Sequence, residues 1–290
     1  MAIYDAEGSR LLSVYDAQGN RLTRAYDAEG NVIYTIEPIT LKVMTYNVGG
    51  WYIGSGTNVP ASKDALYYDL QNTILQNQDA DILCLEEYWN QFSQDRTALS
   101  LLEQYYPYIH AEGGDTTYAG RCICSKYPIT NYTVNLYAQD TAGRYYDKAT
   151  INIDGVPIDV IVTHLHPSDQ AEKIRTAKIL FDYTETLAHR WIVCGDFNST
   201  LMDPFSETNA AIYNQFLNAG DHLANAGAFG ILPTACNSNN WADDSFAIDQ
   251  IITSPDNTID AVWTDLTKAN DDINDGKIDH VPLIAEITLN

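Results

Sequence analysis

Basic residues are scarce in this sequence. Its 290 residues hold 16 Lys+Arg against 39 Asp+Glu, which gives a formal net charge of −23 and a pI near 4.3. A protein that holds nucleic acid across a broad basic surface needs many lysines and arginines for its phosphate contacts, so the composition argues against this class. An enzyme that meets phosphate groups through a bound metal ion is not excluded, because the ion supplies its own positive charge.

Long apolar runs are also missing. No run approaches the roughly 18–20 residues of a membrane-spanning helix. The first residues, MAIYDAEGSR, contain neither the basic stretch nor the apolar stretch of a secretory signal. We therefore expect no membrane span and a cytoplasmic location, although a secreted chain from which a signal had been removed would look the same.

Cysteine is rare and odd in number, with 5 residues in the chain. Four of the five lie within apolar, strand-like runs, so we interpret all of them as buried thiols in a reducing compartment. Cys122 and Cys124 are one residue apart and lack partners at metal-ligand spacing. This spacing argues against a zinc site.

An internal repeat occupies the start of the chain. Three units with a period of 11 residues begin at Tyr4, Tyr15 and Tyr26, and each has a glycine four residues later. Asp-Ala-x-Gly is turn chemistry and the flanking residues favour strands, so each unit is predicted to form a strand, a turn and a strand. The repeats loosely resemble the Tyr-Asp repeats of bacterial surface and toxin proteins. We predict that residues 1–38 are a β-repeat appendage without chemistry; the alternative is a module for attachment or oligomerisation.

From residue 39 onward, short apolar strands are interspersed with helical stretches. Strands are predicted at LKVMTYNV, DILCLEEY, RCICSKYPI, ATINI, PIDVIVTHL, WIVCGDFN, FAIDQIITS and HVPLIAEITL. Helices are predicted at SKDALYYDLQNTILQNQ, with Ser62 as N-cap, at DRTALSLLEQYY and at AEKIRTAKILFDYTETLAH. Near-continuous apolar strands indicate sheets covered by helices, so residues 39–290 are predicted to form one α/β domain.

Several predicted strands end in polar side chains that are costly to place there without a purpose. These residues are Asn47, Glu86, Glu87, His164, Asp196, Asn198, Asp249, Asp279 and His280. In extended chain, residues two apart face the same side, so Asp196 and Asn198 present a carboxylate and an amide together. Oxygen ligands suit a hard divalent ion such as magnesium, calcium or manganese. The combination therefore points to a metal ion with acid and base groups beside it.

In their sequences and in their order along the chain, these segments resemble the motifs of the endonuclease/exonuclease/phosphatase superfamily. This group contains pancreatic deoxyribonuclease, abasic-site endonucleases, bacterial sphingomyelinases, inositol polyphosphate 5-phosphatases and deadenylases. The resemblance covers residues 40–290, and its motifs are TYNV, LCLEEY, RCICSKYPI, VIVTHLH, GDFN, AIDQIIT and IDHVPL. It implies a four-layer α-β-β-α sandwich of two packed mixed sheets, with the site at one end.

The resemblance implies a divalent cation, with Mg²⁺ the first choice and Mn²⁺ or Ca²⁺ as alternatives. Glu87 would be its principal ligand, with Asn47 and Asp279 on or near the ion. The superfamily usually has Gln-Glu where this chain has Glu86-Glu87. Glu86 therefore adds charge beside the metal ligand, and is a candidate second metal contact or substrate contact.

The resemblance also implies the catalytic residues. Asp196 would orient or deprotonate the attacking water, and Asn198 would hold the phosphate. His164 and His280 would donate hydrogen bonds to the non-bridging oxygens, and Asp249 would fix the tautomer of His280. Whether Asp196 or a metal-bound water is the base stays open, and His280 is an alternative proton donor.

Two arginines are candidate substrate-binding residues. Arg121 and Arg144 fall in segments near the expected site, where each is a candidate to hold a substrate phosphate. Tyr145 and Tyr146 are a candidate stacking surface for a base or an acyl chain. Tyrosine occurs 20 times in the chain, however, and an ordinary structural role is the simpler interpretation.

These residues predict a metal-dependent phosphoester hydrolase, most simply a nuclease or another phosphodiesterase, that cleaves by in-line attack of water. Its substrate would be nucleic acid or a small phosphoester. The acidic balance counts against tight duplex binding. One alternative is a phosphatase or a sphingomyelinase-like lipid phosphodiesterase, but no exposed apolar hairpin or basic amphipathic helix supports membrane action. The remote alternative is a non-catalytic binding protein that retains the fold.

Overall fold

The computed structural model describes residues 24–26, 32–35, 38–49, 61–90, 97–112, 120–137, 144–200, 207–226, 230–236, 245–266 and 280–290. The strands are β1 Arg24–Tyr26, β2 Val32–Thr35, β3 Ile39–Asn47, β4 Ile82–Tyr88, β5 Tyr108–Glu112, β6 Gly120–Ser125, β7 Ile129–Leu136, β8 Tyr145–Ile153, β9 Val156–His164, β10 Arg190–Asp196, β11 His222–Leu223, β12 Ala235–Cys236, β13 Ser245–Phe246, β14 Asp249–Thr253, β15 Asn257–Thr264 and β16 Leu283–Leu289. The helices are α1 Ala61–Gln78, α2 Ala98–Leu102, α3 Gln170–Thr184 and α4 Glu207–Ala219.

A pair of antiparallel strands spans the end of the second repeat unit and the third unit. In this pair, β1 lies beside β2, with Arg24 opposite Thr35 and Ala25 opposite Tyr34. The strands flank the Asp-Ala-Glu-Gly-Asn segment. The pairing agrees with the strands that the sequence predicts for the repeats, and the turn predicted between them lies outside the described residues. The first unit and most of the second also lie outside the described residues.

Two mixed sheets of six strands make up the body of the protein. The first sheet has the order β15-β16-β3-β4-β6-β5, and the second has the order β11-β14-β10-β9-β8-β7. Each sheet contains one parallel pair, β3 with β4 and β9 with β10, and its other pairs are antiparallel. The parallel pairs bring the ends of β3, β4, β9 and β10 to one edge of each sheet, where the polar residues follow.

Three apolar cores separate four layers. One core lies between the first sheet and helices α1 and α2, a second lies between the sheets, and a third lies between the second sheet and helices α3 and α4. Strand residues alternate between cores: Val43 and Ile82 face the middle core, whereas Met44 and Leu83 face α1. Both faces of each sheet are therefore covered, which explains the continuous apolar runs. The predicted α-β-β-α sandwich is confirmed.

The helices differ from the sequence prediction in three places. Helix α1 already begins at Ala61, so Ser62 lies inside it and the prediction of an N-cap there is wrong. Helix α2 is shorter than predicted: Thr97 caps its start, it ends at Leu102, and Pro107 follows a turn later. Helix α4 was not predicted. Within the described residues, no helix has the length and apolar character needed to cross a bilayer.

All five cysteines are buried thiols, as predicted. Cys84 lies in the core between the sheets, and Cys122 and Cys124 lie in the core under α1 and α2, with their Sγ atoms 3.5 Å apart. Burial raises the pKa of the Cys84 and Cys124 thiols well above the ordinary value. These thiols therefore behave as packing groups rather than as nucleophiles.

Candidate active site

The second sheet presents a row of three polar side chains at its open end. His164 at the end of β9 is paired with Asp196 of β10, and Asp196 is paired with Asp249 of β14. The residues two positions further into each strand face the core between the sheets. Because side chains alternate along a strand, the row lies on this same inner face. Side chains from three separate strands are therefore adjacent in this row.

The first sheet presents a facing row. Asn47 at the end of β3 lies opposite Glu86 of β4, which lies opposite Arg121 of β6. In a regular strand, Glu87 would face away from Glu86, but the register shifts between Glu86 and Tyr88 and Glu87 has a positive φ of 50°. This bulge turns Glu87 towards Asn47, whose Nδ2 lies 3.4 Å from Glu87 Oε1. Such a strained backbone is typical of functional sites.

Asp196 lies at the centre of the site. Its Oδ2 accepts a hydrogen bond from Asn47 Nδ2 at 3.1 Å, and it lies 3.4 Å from His164 Nε2 and 3.7 Å from His280 Nε2. Its Oδ1 accepts from the backbone N–H of Asn198 at 2.7 Å. Burial, and then the charge of Asp249, raise the pKa of Asp196 to about 7. One carboxylate oxygen is thus ringed by three nitrogen-bearing side chains.

His280 is oriented by a buried carboxylate. Its Nδ1 lies 2.9 Å from Asp249 Oδ2, an arrangement that directs Nε2 towards Asp196. The backbone of His280 pairs with Ala235. Asp249 Oδ1, by contrast, is buried and has no hydrogen-bond partner among the described residues. The pair matches the orienting role that the sequence prediction gives to Asp249.

His164 is held in place through its backbone carbonyl. Arg144 donates from one guanidinium nitrogen to the carbonyls of His164 and Leu165, at 2.9 Å and 2.6 Å. Burial, and then the Arg144 charge, lower the pKa of His164 well below its ordinary value, so the ring is neutral. The contacts of Arg144 therefore hold the end of β9, where His164 lies.

Asn198 lies in a turn that is held by hydrogen bonds of its side chain, its backbone N–H and its backbone carbonyl. It has a positive φ of 48°, and its side-chain amide donates to the Leu165 carbonyl at 3.1 Å. Its own carbonyl accepts from the Lys173 ammonium on α3. Lys173 is buried, and the sequence prediction missed it. Its spacing from the buried Ala177 and Leu180 on one helix face was the available signal.

Glu86 and Arg121 belong to the first-sheet row and are buried. Glu86 is fully buried, its Oε1 accepts from Thr45 Oγ1 at 2.9 Å, and burial raises its pKa well above the ordinary value. The Arg121 guanidinium lies 3.5 Å from the centre of the Tyr145 ring. Both side chains are therefore bonded or packed within the protein, and their predicted contact with substrate stays a prediction. Asp279, predicted as a metal ligand, lies outside the described residues.

The donor set fits a divalent cation. Glu87 offers carboxylate oxygens and keeps about 30% of its side chain exposed, so an ion can reach it. Asn47 turns its amide nitrogen towards Glu87 while its Oδ1 accepts from the Gly49 N–H at 3.0 Å, so its amide oxygen would have to turn to meet the ion. A second group, Asp196, Asp249 and His280, has ligand atoms within 4.8 Å of one another. In that group, Asp249 Oδ2 and His280 Nδ1 already bind each other. An ion beside Glu87 preserves that pair, so we favour the Glu87 side.

Comparison with known proteins agrees with this architecture. The model of the Endonuclease/Exonuclease/phosphatase family matches residues 44–271, and the RHS Repeat model matches residues 4–37. Comparison of the sequence with curated proteins gave no match.

Solved structures share the fold at low identity. An endonuclease/exonuclease/phosphatase family protein from Bacteroides thetaiotaomicron is 14% identical, has a TM-score of 0.63, and is covered in full by 88% of this chain. A humanized D. rerio TDP2 is 13% identical with a TM-score of 0.65, and the match covers 86% of this chain and 98% of that one. A family protein from Leptotrichia buccalis is 20% identical with a TM-score of 0.61, over 85% and 99% of the two chains. With a family model spanning most of its length, the chain belongs to the endonuclease/exonuclease/phosphatase family, a family of phosphoester hydrolases.

Proposed function

We propose that the protein is a metal-dependent phosphodiesterase. The observation that carries this proposal is the surrounding of Asp196 Oδ2 by Asn47, His164 and His280. A group that aligns water must lie beside donors that stabilise the phosphoryl oxygens, because both act on the same phosphorus atom. The Asp196 carboxylate and its three neighbours meet this requirement within one cluster.

Each residue takes a separate part of an in-line hydrolysis. Asp196 orients the attacking water and accepts its proton. His164 and His280 donate hydrogen bonds to the non-bridging oxygens, where negative charge builds up. Asp249 holds His280 with Nε2 towards the reacting centre, and Asn198 contributes its amide to the phosphate. As substrate enters, the donors that now face Asp196 turn their hydrogen bonds to the phosphate.

The metal ion would be held by Glu87 and Asn47, with Asp279 as a third ligand from the sequence prediction. When bound, it supplies positive charge that stabilises the phosphoryl oxygens. This charge matters because the two rows contain Glu86, Asp196 and Asp249, all buried. Mg²⁺ suits these oxygen ligands, and Mn²⁺ is the expected substitute.

A substrate panel tests the proposal. It contains bis(p-nitrophenyl) phosphate, p-nitrophenyl phosphate, plasmid DNA, single-stranded DNA, RNA and sphingomyelin, each assayed with Mg²⁺ or Mn²⁺ and with EDTA. We expect diester hydrolysis that EDTA abolishes and that added metal restores. His164→Ala and His280→Ala should each lower kcat/KM by about 10²- to 10⁴-fold, because each removes a hydrogen-bonding group at the reacting centre.

The matched control is His222→Ala. His222 is exposed on β11 and is paired with Thr253. Thr253 is the last residue of β14 and Asp249 is its first, so the loss of His222 should leave kcat/KM unchanged. Full activity in both His164→Ala and His280→Ala would refute the site. Hydrolysis of the monoester alone, or of sphingomyelin alone, would instead favour the phosphatase or lipid-phosphodiesterase alternative.

A further inference from the structure

The catalytic row of the second sheet continues towards the edge of that sheet. Tyr145 at the start of β8 lies opposite Leu136, the last residue of β7. Tyr146 lies opposite Thr163, so Tyr145 comes level with His164 on the neighbouring strand. Directly opposed residues share a face. The inner-face row therefore runs from Leu136 through Tyr145 to His164 and on to Asp196.

Tyr145 is a fixed ring at the side of the site. The guanidinium carbon of Arg121 lies 3.5 Å from the centre of the Tyr145 ring, and the Tyr145 hydroxyl donates to the Glu112 carbonyl at 3.4 Å. A cation placed against a ring contributes stabilisation and restricts the ring's rotation. The ring remains partly exposed. Tyr145 is therefore available to a substrate in a defined orientation, which the frequency of tyrosine in the chain had concealed.

Leu136 extends this surface with an exposed apolar group. It is 71% exposed, and Val134, two residues earlier on the same face of β7, is 41% exposed. An aromatic ring and an exposed leucine side by side, next to a phosphate-binding centre, form an apolar ledge. We use "apolar ledge" below for Leu136 and Tyr145. A substituent on the scissile phosphate would reach this ledge directly.

The cations around the two rows are already engaged with the protein itself. Arg121 is buried against Tyr145, Arg144 binds two backbone carbonyls, and Lys173 binds the Asn198 carbonyl. A long nucleic acid strand is normally followed by solvent-facing lysines and arginines. Among the described residues, these three cations instead position the site. In the part of the chain that the structure describes, the charge arrangement therefore favours a substrate with little charge beyond its reacting phosphate.

We propose that the substrate is a small phosphoester that carries a planar ring, and that this ring packs on the apolar ledge. The ring is a nucleobase or an aryl group close to the phosphate, since either would stack on Tyr145 and contact Leu136. This inference rests on the proposed function, because it assumes that the phosphate binds beside His164 and Asp196. It adds that one neighbouring group, and not an extended polyanion, determines recognition.

Binding of two non-hydrolysable probes tests the ledge separately from catalysis. Isothermal calorimetry with Mg²⁺ compares phenylphosphonate, which has a ring, with methylphosphonate, which has none. We expect the wild type to bind phenylphosphonate about 5- to 100-fold more tightly, as for the stacking of one ring. Tyr145→Ala and Leu136→Ser should bring this ratio close to one. Tyr145→Phe should keep it, because the ring is retained.

The control is Tyr108→Ala. Tyr108 is an exposed tyrosine at the start of β5, whereas Glu112, which Tyr145 contacts, is at its end, so this variant should keep the wild-type ratio. Equal affinities in the wild type, a ratio that survives in Tyr145→Ala, or failure of both probes to bind would overturn the ledge. A long single-stranded oligonucleotide cleaved much faster per bond than a dinucleoside monophosphate would overturn the small substrate. If the ring preference is present but no diester is hydrolysed, the ledge stands and the proposed function fails.

Discussion

The second sheet carries a charged cluster on each face, and the two clusters are built differently. On the outer face, Asp159 accepts from Lys148 at 2.8 Å and from Thr150 at 2.6 Å, and its other oxygen lies 3.4 Å from His189. On the inner face, Asp196 and Asp249 share the space with two histidines. The outer carboxylate has a buried lysine as counter-ion, whereas the inner carboxylates lie beside histidine rings.

The difference separates stability from function. A buried carboxylate that is fully bonded to a cation and a hydroxyl holds its strands together. The inner pair leaves Asp249 Oδ1 without a partner among the described residues, and burial raises the pKa of Asp196. This unmet bonding capacity distinguishes the inner carboxylates from Asp159. Substitutions in the two clusters should therefore affect different measurements.

Asp196→Asn should have the largest effect on activity. The amide keeps the shape but cannot accept a proton from water, so kcat/KM should fall by about 10²- to 10⁴-fold. Its stability should not fall, since the substitution removes a buried negative charge beside Asp249. Diester hydrolysis and urea unfolding on the same preparation measure both effects. A variant that unfolds more easily than the wild type would show that Asp196 has a structural role as well.

Asp159→Asn should have the opposite signature. It leaves the Lys148 ammonium buried without its carboxylate, so the free energy of unfolding should fall by about 3–5 kcal/mol. Activity per folded molecule should stay at the wild-type level. The control is Asp182→Asn, which breaks the exposed pair with Lys178, and which should cost only about 0.3–0.5 kcal/mol. Equal losses in the two variants would mean that burial of the Asp159 cluster adds nothing.

The fold was predictable where strands are covered on both faces. Strands such as β9 and β10 are continuous apolar runs, and their polar ends mark the site. Strands β5 and β7 lie at the edges of their sheets and have mostly exposed or half-buried residues, so they lack such a run and were not predicted. Edge strands are defined by pairing with distant neighbours rather than by local hydrophobicity.

The members of the candidate site could be proposed from the sequence, but their arrangement could not. Residues at strand ends, such as His164 and Asp196, could be identified from the sequence because the ends of strands meet at one edge of a sheet. The positive φ of Glu87 could not, since it depends on the bulge between Glu86 and Tyr88. The interpretation of Arg144 also required the structure, because its partners are backbone carbonyls that any residue can provide.

Asp221 offers a buried carboxylate outside the site, and its effect should be the smallest. It is 5% exposed, its Oδ2 has no hydrogen-bond partner among the described residues, and burial followed by the Glu185 charge raises its pKa to about 7. A raised pKa means that the folded state holds the proton more tightly than the unfolded state. Stability from this group is therefore present below its unfolded pKa and is lost as pH rises towards 7.

Asp221→Asn removes this charge and should stabilise the protein at alkaline pH. We expect a gain of about 1–3 kcal/mol in the free energy of unfolding near pH 8, shrinking to nothing near pH 4. Urea unfolding across this range measures it, and activity should not change because Asp221 precedes β11, away from Asp196. A gain that is equal at both ends of the range would assign the effect to packing. A loss at alkaline pH would mean that the Asp221 carboxylate has a favourable partner, and that unmet bonding alone does not mark a carboxylate as costly.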